Sequence, residues 1–336
     1  MKIILQMSLI VILGTLLSND TWSQSEKDPQ LVEIGANFFA VIGPEGSGNT
    51  AFLISEEGVV VIDAGKTPEI GHALLTLIRE KTDKPIRYIL LTHYHTDHVL
   101  GLESFPEPAL VIGQKNLLRN MREILLEELK IYPEFINNLK NRIEDLRAQG
   151  SPDLEQEEAR LKKNIENYEI LKHTRIILPE ITFDNRLVLY LGDERIEMYY
   201  PGPTHTNGSS VIYFPGRKTI HMGDMVFAGY HTYVDEQAGA DTKNWISFLE
   251  EVLNWDIDTV IPGHGPVGSR EHLKREVEYL QDLRAEVFAA IQAGKTEEEV
   301  IHTVKMEPWK DLIWPEILPL VTKTVYQELI KEKKNE

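Results

Sequence analysis

Three histidines and an aspartate lie within six positions of the segment THYHTDHVLG, residues 92–101. On an extended chain, residues two apart point to the same side, so His93 and His95 can bind one metal ion. Asp97 and His98 follow a tight turn and can bind a second ion. Imidazole and carboxylate are the ligands that zinc, iron or manganese accept when thiolate is absent. The chain has no cysteine, so a metal centre must use nitrogen and oxygen ligands.

Four ligands do not complete two metal sites, and three further candidates each follow a strand-like run. They are His205 in PGPTHTNGSS, Asp224 in HMGDMVF and His264 in IPGHGPVG. We expect His205 to complete the first site, His264 to complete the second, and Asp224 to bridge them. Taken singly, each residue is more typical of a bonded core histidine or a turn aspartate. The complete ordered set favours metal binding.

These motifs, together with VVVIDAG at residues 59–65, resemble those of the metallo-β-lactamase superfamily of metal-dependent hydrolases. The resemblance covers nearly all of the chain after residue 23, outside a helical insertion. It implies an α/β fold, an αββα sandwich of two mixed β-sheets flanked by helices, with a dinuclear site at one edge. It also implies that Asp63 orients metal ligands without being one itself.

The hydrophobic pattern identifies elements that can position these residues. Apolar runs predict strands at residues 38–42, 51–54 and 59–62, and the strand at 88–91 leads directly into the histidine segment. The three-to-four-residue spacing of apolar side chains predicts a helical insertion at 115–173. We expect most of the insertion surface to be solvated and one edge to approach the site, but the sequence does not determine its role.

Sequence signals also mark a third helix in the insertion and the helices at the C-terminal end of the domain. Ser151 is the predicted N-cap of a third insertion helix and Pro152 its first residue. Residues 269–331 predict C-terminal helices, with Thr296 and Glu299 forming a capping box. We predict a single domain over residues 24–336.

The N-terminus predicts export. Lys2 precedes an apolar run at residues 3–17, and small residues follow, so we predict a signal peptide over residues 1–23, cleaved after Ser23. The apolar run is short for a retained membrane anchor. A periplasmic or secreted protein, with no membrane association after cleavage, is therefore expected.

The net charge limits the partners. With 53 acidic and 35 basic residues the chain has a formal net charge of −18. Such a surface repels nucleic acid and anionic lipid, so we predict a small-molecule substrate and no nucleic-acid partner. The oligomeric state does not follow from the sequence.

The ligand set predicts a hydrolytic mechanism. Two divalent ions carry four positive charges, and two aspartates with one hydroxide remove three. The remaining charge polarises a carbonyl or phosphoryl oxygen, and metal-bound water ionises near neutral pH. Asp97 is the predicted catalytic residue, which orients the water and transfers a proton to the leaving group. We therefore predict a dinuclear zinc hydrolase, with iron or manganese as alternative metals, acting on an ester, lactam, lactone or related bond.

Two narrower functions remain as alternatives. Export fits a metallo-β-lactamase that hydrolyses β-lactam antibiotics, but those enzymes usually have cysteine or serine in place of Asp224 and often a lysine in place of Phe227. An iron-dependent oxidoreductase resembling the persulfide dioxygenases needs only one metal ion. The second ligand set of this chain (Asp97, His98 and His264) favours two ions. A non-catalytic binding protein usually lacks some of the ligands, and none is missing.

The substrate contacts are the least determined part of the site. The segment GYHTYVD, residues 229–235, is expected to border the metal edge, which makes Tyr230 and His231 candidate contacts. Asn207, two residues after His205, is a third. The sequence identifies neither the substrate nor the native metal.

Overall fold

Two β-sheets pack face to face with helices on their outer sides in the computed structural model, which describes residues 29–44, 46–106, 108–152 and 154–335. The predicted αββα sandwich is thereby confirmed, while the predicted signal peptide lies outside the described residues. The first sheet has seven strands in chain order: β1 (Gln30–Gly35), β2 (Phe38–Ile42), β3 (Thr50–Ile54), β4 (Val59–Ile62), β5 (Ile86–Leu90), β6 (Leu110–Gln114) and β7 (Ile181–Phe183). β1 to β4 are antiparallel, and the pairings from β4 to β7 are parallel.

The second sheet has five strands in the order β12, β11, β10, β9, β8. Their bounds are β8 (Arg186–Leu191), β9 (Glu194–Tyr199), β10 (Val211–Phe214), β11 (Thr219–Phe227) and β12 (Thr259–His264). Only β11 and β12 are parallel to each other, so this sheet is also mixed.

Burial on both faces explains the apolar strands at the centre of the first sheet. In β4, Val60 and Ile62 point toward the second sheet, whereas Val59 and Val61 pack under the outer helices. All four side chains are fully buried. Because successive strand residues face opposite sides, a continuous apolar run is required rather than an alternating one.

Nine α-helices are described, and most of them cover the two sheets. Their bounds are α1 (Pro68–Lys81), α2 (Thr96–Val99), α3 (Lys115–Asn120), α4 (Leu126–Gln149), α5 (Leu154–Leu171), α6 (Thr242–Val252), α7 (Arg270–Gln292), α8 (Glu297–Thr303) and α9 (Leu318–Asn335). The predicted capping box of Thr296 and Glu299 is present at the start of α8. Within the described part of the chain, no helix combines the length and hydrophobicity of a membrane span.

The insertion is helical as predicted, but its segmentation differs. A π-helical turn at Met121–Leu125 joins α3 to α4, so the first two predicted helices form one continuous helical run. α5 begins at Leu154, two residues after the predicted start at Pro152. The Tyr132 hydroxyl donates a hydrogen bond to Asn164 Oδ1 at 2.9 Å, and both residues are buried between α4 and α5.

Candidate metal centre

The histidine segment follows β5 and is held there by Asp63, which follows β4. Asp63 has a φ of 55°, an uncommon backbone conformation for a residue other than glycine. Its carboxylate accepts hydrogen bonds from Thr92 N at 2.8 Å, Thr92 Oγ1 at 2.7 Å and His98 Nδ1 at 2.8 Å. α2 begins directly after His95 and places Asp97 and His98 in one helical turn. Asp63 therefore lies where the resemblance placed it, behind a ligand.

Four of the predicted ligands form a first group at the end of the sheets. His93, His95, His205 and Asp224 each present one ligand atom, and these atoms lie within 4.8 Å of one another. His205 Nε2 is 3.1 Å from His95 Nδ1 and 3.7 Å from Asp224 Oδ2. His93 Nε2 is 3.6 Å from the same Asp224 oxygen. The arrangement can hold one metal ion.

A second group forms around the other side of Asp224. Asp97, His98, Asp224 and His264 again present ligand atoms within 4.8 Å of one another. His98 Nε2 lies 3.0 Å from Asp224 Oδ1, and His264 Nε2 lies 3.1 Å from Asp97 Oδ2 and 3.4 Å from Asp224 Oδ2. The structure thus brings all seven predicted ligands together, and Asp224 belongs to both groups.

The polar atoms of this centre fit a cation. Among the described residues, His93 Nε2, His98 Nε2 and Asp224 Oδ1 are fully buried without a hydrogen-bond partner. Buried polar atoms are costly to leave unsatisfied, and a divalent ion in each group would satisfy them: His93 belongs to the first group, His98 to the second and Asp224 to both. Imidazole nitrogens and carboxylate oxygens suit zinc, iron or manganese, so the residues fit one such ion in each group.

Four of the ligand histidines are oriented through the ring nitrogen that faces away from the centre. The contacts are His93 Nδ1 with Thr92 Oγ1 (2.9 Å), His95 Nε2 with Asp235 Oδ2 (3.0 Å), His98 Nδ1 with Asp63 Oδ2 (2.8 Å) and His205 Nδ1 with the Tyr233 carbonyl (2.8 Å). Such contacts fix the tautomer and leave the other nitrogen free to bind metal. Asp235 was not predicted, because no motif spacing relates it to His95.

Charge is distributed unevenly between the two groups. Burial, together with His95, lowers the pKa of His205 to about 4, and burial, with His98, lowers that of His93 well below its usual value. Burial also opposes protonation of His264, but Asp224 and Asp97 outweigh it and raise the pKa of His264 to about 9. The group with two carboxylates therefore attracts positive charge, whereas His93 and His205 in the first group present neutral imidazoles.

Aromatic rings enclose His264 from outside the centre. Phe227 stacks on the His264 ring with centroids 5.4 Å apart and planes at 7°. Trp314 meets His264 edge to face at 4.9 Å, and Tyr230 lies 5.9 Å away. Trp314 comes from the segment between α8 and α9, and no motif in the sequence predicts that it reaches the site. Tyr230, a predicted substrate contact, does border a ligand.

The other two predicted substrate contacts are placed differently. His231 is 1% exposed and its Nδ1 lies 2.9 Å from the Tyr279 hydroxyl, so it packs in the core with no exposed atom for a substrate. Asn207 Oδ1 accepts a hydrogen bond from Asn120 at 2.9 Å, and the Asn207 carbonyl accepts one from Asn116 at 2.8 Å. Asn207 therefore links α3 of the insertion to the loop that carries His205.

The αββα fold and the seven converging ligands define a metal-dependent hydrolase. The sequence profile of the metallo-beta-lactamase superfamily matches residues 43–117 and 122–264. The chain belongs to the metallo-beta-lactamase superfamily.

Individual relatives are distant. The chain is similar to a linear primary-alkylsulfatase of Pseudomonas sp., at 22% identity over 264 residues, which is 75% of this chain and 49% of the alkylsulfatase. It is also similar to a metallo-beta-lactamase type 2 of Bacillus cereus, at 21% identity over 235 residues, covering 69% of this chain and 73% of that one.

A solved structure supports the fold. The sec-alkylsulfatase Pisa1 from Pseudomonas sp. superposes with a TM-score of 0.63 at 17% identity, covering 89% of this chain and 50% of that one. The chain thus spans about half the length of the alkylsulfatases it matches. At this identity the structural likeness establishes the fold alone.

Proposed function

We propose that this protein is an exported hydrolase that binds two zinc ions and cleaves an ester, lactam, lactone or related bond in a small molecule. The observation that supports this most strongly is the position of Asp224, whose carboxylate belongs to both ligand groups. A carboxylate shared by two ligand groups is suited to a pair of ions that act together. Iron or manganese would fit the same ligands.

The ligands divide the work of the centre. When bound, the ions supply Lewis acidity to the scissile group and lower the pKa of water at the site. His93, His95 and His205 would hold one ion, and Asp97, His98 and His264 the other, with Asp224 shared. The carboxylates also offset part of the metal charge, so the centre keeps a net positive charge where the negative charge of the transition state develops.

Asp97 is the residue that moves a proton. Its side chain is 18% exposed, the most of any carboxylate in the centre, so it borders the space open to substrate. Burial alone would raise its pKa, but His98 and His264 outweigh burial and hold the pKa of Asp97 well below its usual value. An ionised carboxylate beside this space can accept a proton from the attacking water and return it to the leaving group.

Sulfate-ester hydrolysis is a second candidate. It is favoured by the similarity to the linear primary-alkylsulfatase over 75% of this chain. The β-lactamase alternative has the Bacillus cereus relative in its favour. However, Phe227, which packs on His264, occupies the position where such enzymes often have a lysine for the drug carboxylate. Persulfide oxidation needs a single iron ion, so it does not require the second of the two complete ligand groups.

Metal analysis with a substrate panel tests the proposal. We expect about two zinc ions per chain and turnover of at least one substrate among a carboxylic ester, a lactone, a cephalosporin and an alkyl sulfate. A chelator should abolish that activity and added zinc should restore it. Full turnover after metal removal would reject the mechanism. One iron per chain with sulfur oxidation would favour the dioxygenase alternative instead.

Export is a separate part of the proposal and rests on the N-terminal sequence. Cell fractionation followed by mass measurement of the intact protein tests it. We expect the mature chain outside the cytoplasm, beginning at Gln24. A full-length chain in the cytoplasmic fraction would contradict export without affecting the metal centre.

A further inference from the structure

A cavity of about 670 Å³ lies beside the metal centre, between α7, β1 and the segment before α9. Three of its lining residues are direct neighbours of His264: Gly265 follows it in the chain, and Phe227 and Tyr230 contact its ring. The volume is in the range of small-molecule binding pockets. None of the seven ligands lines the cavity, so it is distinct from the centre and adjacent to it.

The buried polar groups of the cavity are already bonded to the protein. Both carboxyl oxygens of Glu276 accept hydrogen bonds, one from Phe227 N at 2.9 Å and the other from the Thr232 hydroxyl. The Tyr279 hydroxyl lies 2.9 Å from His231 Nδ1. The lining that remains is mainly apolar, including side chains from β1, β2 and the segment at residues 309–313. Its charged side chain, Arg275, lies over the Trp309 ring with Cζ 4.9 Å from the ring centroid, and His272 Nε2 lies 3.1 Å from the Pro266 carbonyl. Such a surface suits an uncharged, apolar ligand group.

The segment before α9 is fixed against the site by backbone hydrogen bonds. Ile313 N donates to the Gly229 carbonyl at 3.0 Å, and His231 N donates to the Ile313 carbonyl at 2.8 Å. These bonds hold Trp314 at a φ of 66°, a strained conformation for this residue, with its ring against His264. Strain of this kind persists when the surroundings enforce it and often marks functional sites.

The segment at residues 309–314 forms one side of the cavity and reaches the metal centre. The superfamily profile ends at residue 264, whereas Trp309, Leu312 and Ile313 line the cavity and Trp314 borders the centre.

We propose that this cavity binds an alkyl or acyl chain of the substrate while the scissile bond lies at the metal centre. The inference rests on the proposed hydrolase function and specifies its substrate class. Burying one methylene group strengthens binding about fourfold. Affinity therefore rises with chain length until the cavity is filled.

Calorimetric titration with uncharged primary n-alkanols tests the cavity without requiring catalysis. With the metal-loaded protein we expect the Kd to fall about fourfold per added methylene from butanol upward, and then to level off. Ile313→Trp enlarges a lining side chain and should shorten the chain length at which the Kd levels off. Ile181→Trp is the matched control, since Ile181 lies on β7 and is 36% exposed, against 47% for Ile313.

Ester hydrolysis separates the two proposals. Length-dependent alkanol binding with no hydrolysis of any substrate would reject the hydrolase and keep the cavity as an alkyl-binding site. Hydrolysis whose kcat/KM is independent of acyl length, with no measurable alkanol binding, would reject the cavity and keep the hydrolase. A chain-length series that Ile313→Trp leaves unchanged would place the alkyl chain elsewhere and overturn the assignment.

Discussion

Asp235 Oδ2 accepts a hydrogen bond from His95 Nε2 at 3.0 Å and thereby determines which nitrogen of His95 faces the metal centre. The opposite nitrogen, Nδ1, lies 3.1 Å from His205 Nε2. The Tyr94 hydroxyl donates to the same Asp235 oxygen at 2.7 Å, and Asp235 is fully buried. A carboxylate in this position keeps the metal-facing nitrogen unprotonated and the ring fixed.

Removing this carboxylate should weaken metal binding. In Asp235→Asn the His95 Nε2 loses its charged acceptor, so we expect the affinity for zinc to fall about 10- to 100-fold. Competition with a chromogenic chelator measures the affinity directly. Tyr94→Phe removes only the second hydrogen bond to Asp235 and should have a smaller effect. Wild-type affinity in Asp235→Asn would show that His95 is oriented by other contacts.

The convergence of the seven candidate ligands was predictable because most of them follow a recognisable strand or end one, as His264 ends β12, although Asp224 lies within β11. Residues 59–62 and 88–91 read as buried strands from their apolar runs, and the structure has strands β4 and β5 there. Parallel strands end at the same edge, so the residues after them converge. Asp235 and Trp314 could not be predicted in this way. Their contacts with His95 and His264 join distant parts of the chain without any local pattern.

The insertion shows a different limit. Apolar spacing within residues 115–149 forms two sets, at 117–129 and 135–146, which predicts two helices. Pro133 lies between the two sets and yet inside α4. The structure instead continues through a π-helical turn before α4. The contact between α3 and Asn207 could not be predicted from the sequence either, because it depends on the close approach of Gly208 to Leu117. There an added Cβ would lie 2.5 Å from the Leu117 nitrogen.

The two aspartates of the centre should differ in their effect on metal content. Asp224→Ala removes a ligand from both groups and should lose both ions, whereas Asp97→Ala removes one ligand from one group. We expect about one ion per chain in Asp97→Ala, and a fall in kcat of roughly 100-fold or more in both variants. Elemental analysis and steady-state kinetics make the comparison, with Asp256→Ala as the surface control. Equal metal content in the two variants would contradict the bridging role of Asp224.

Close packing behind His98 gives a prediction at a glycine. A Cβ on Gly48 would lie 2.2 Å from the His98 ring, which Asp63 holds from the other side. Gly48→Ala should therefore displace His98 and lower the metal content of the second group. Gly216→Ala is a suitable control, because a Cβ there meets no atom within 4 Å. Metal analysis and thermal unfolding of both variants decide the matter. Unchanged metal binding in Gly48→Ala would mean that the backbone moves instead.

Glu276 should make the stability of the protein depend on pH. Burial raises the pKa of Glu276 to about 8, from an ordinary value of 4.5. Between these values the folded protein keeps a proton that the unfolded chain releases. The free energy of unfolding therefore falls as the pH rises through this range, by up to about 1.4 kcal/mol per pH unit from this residue.

Glu276→Gln should remove that contribution, since glutamine does not titrate and its amide oxygen can still accept the hydrogen bond from Phe227 N. Urea unfolding of the zinc-loaded proteins at several pH values between about 5 and 8 measures the difference between variant and wild type. We expect the variant to gain stability relative to wild type as the pH rises. Glu278→Gln, at an exposed position on the same helix, should follow the wild-type dependence. Parallel curves for wild type and Glu276→Gln would mean that the buried carboxyl is ionised in the folded protein throughout this range.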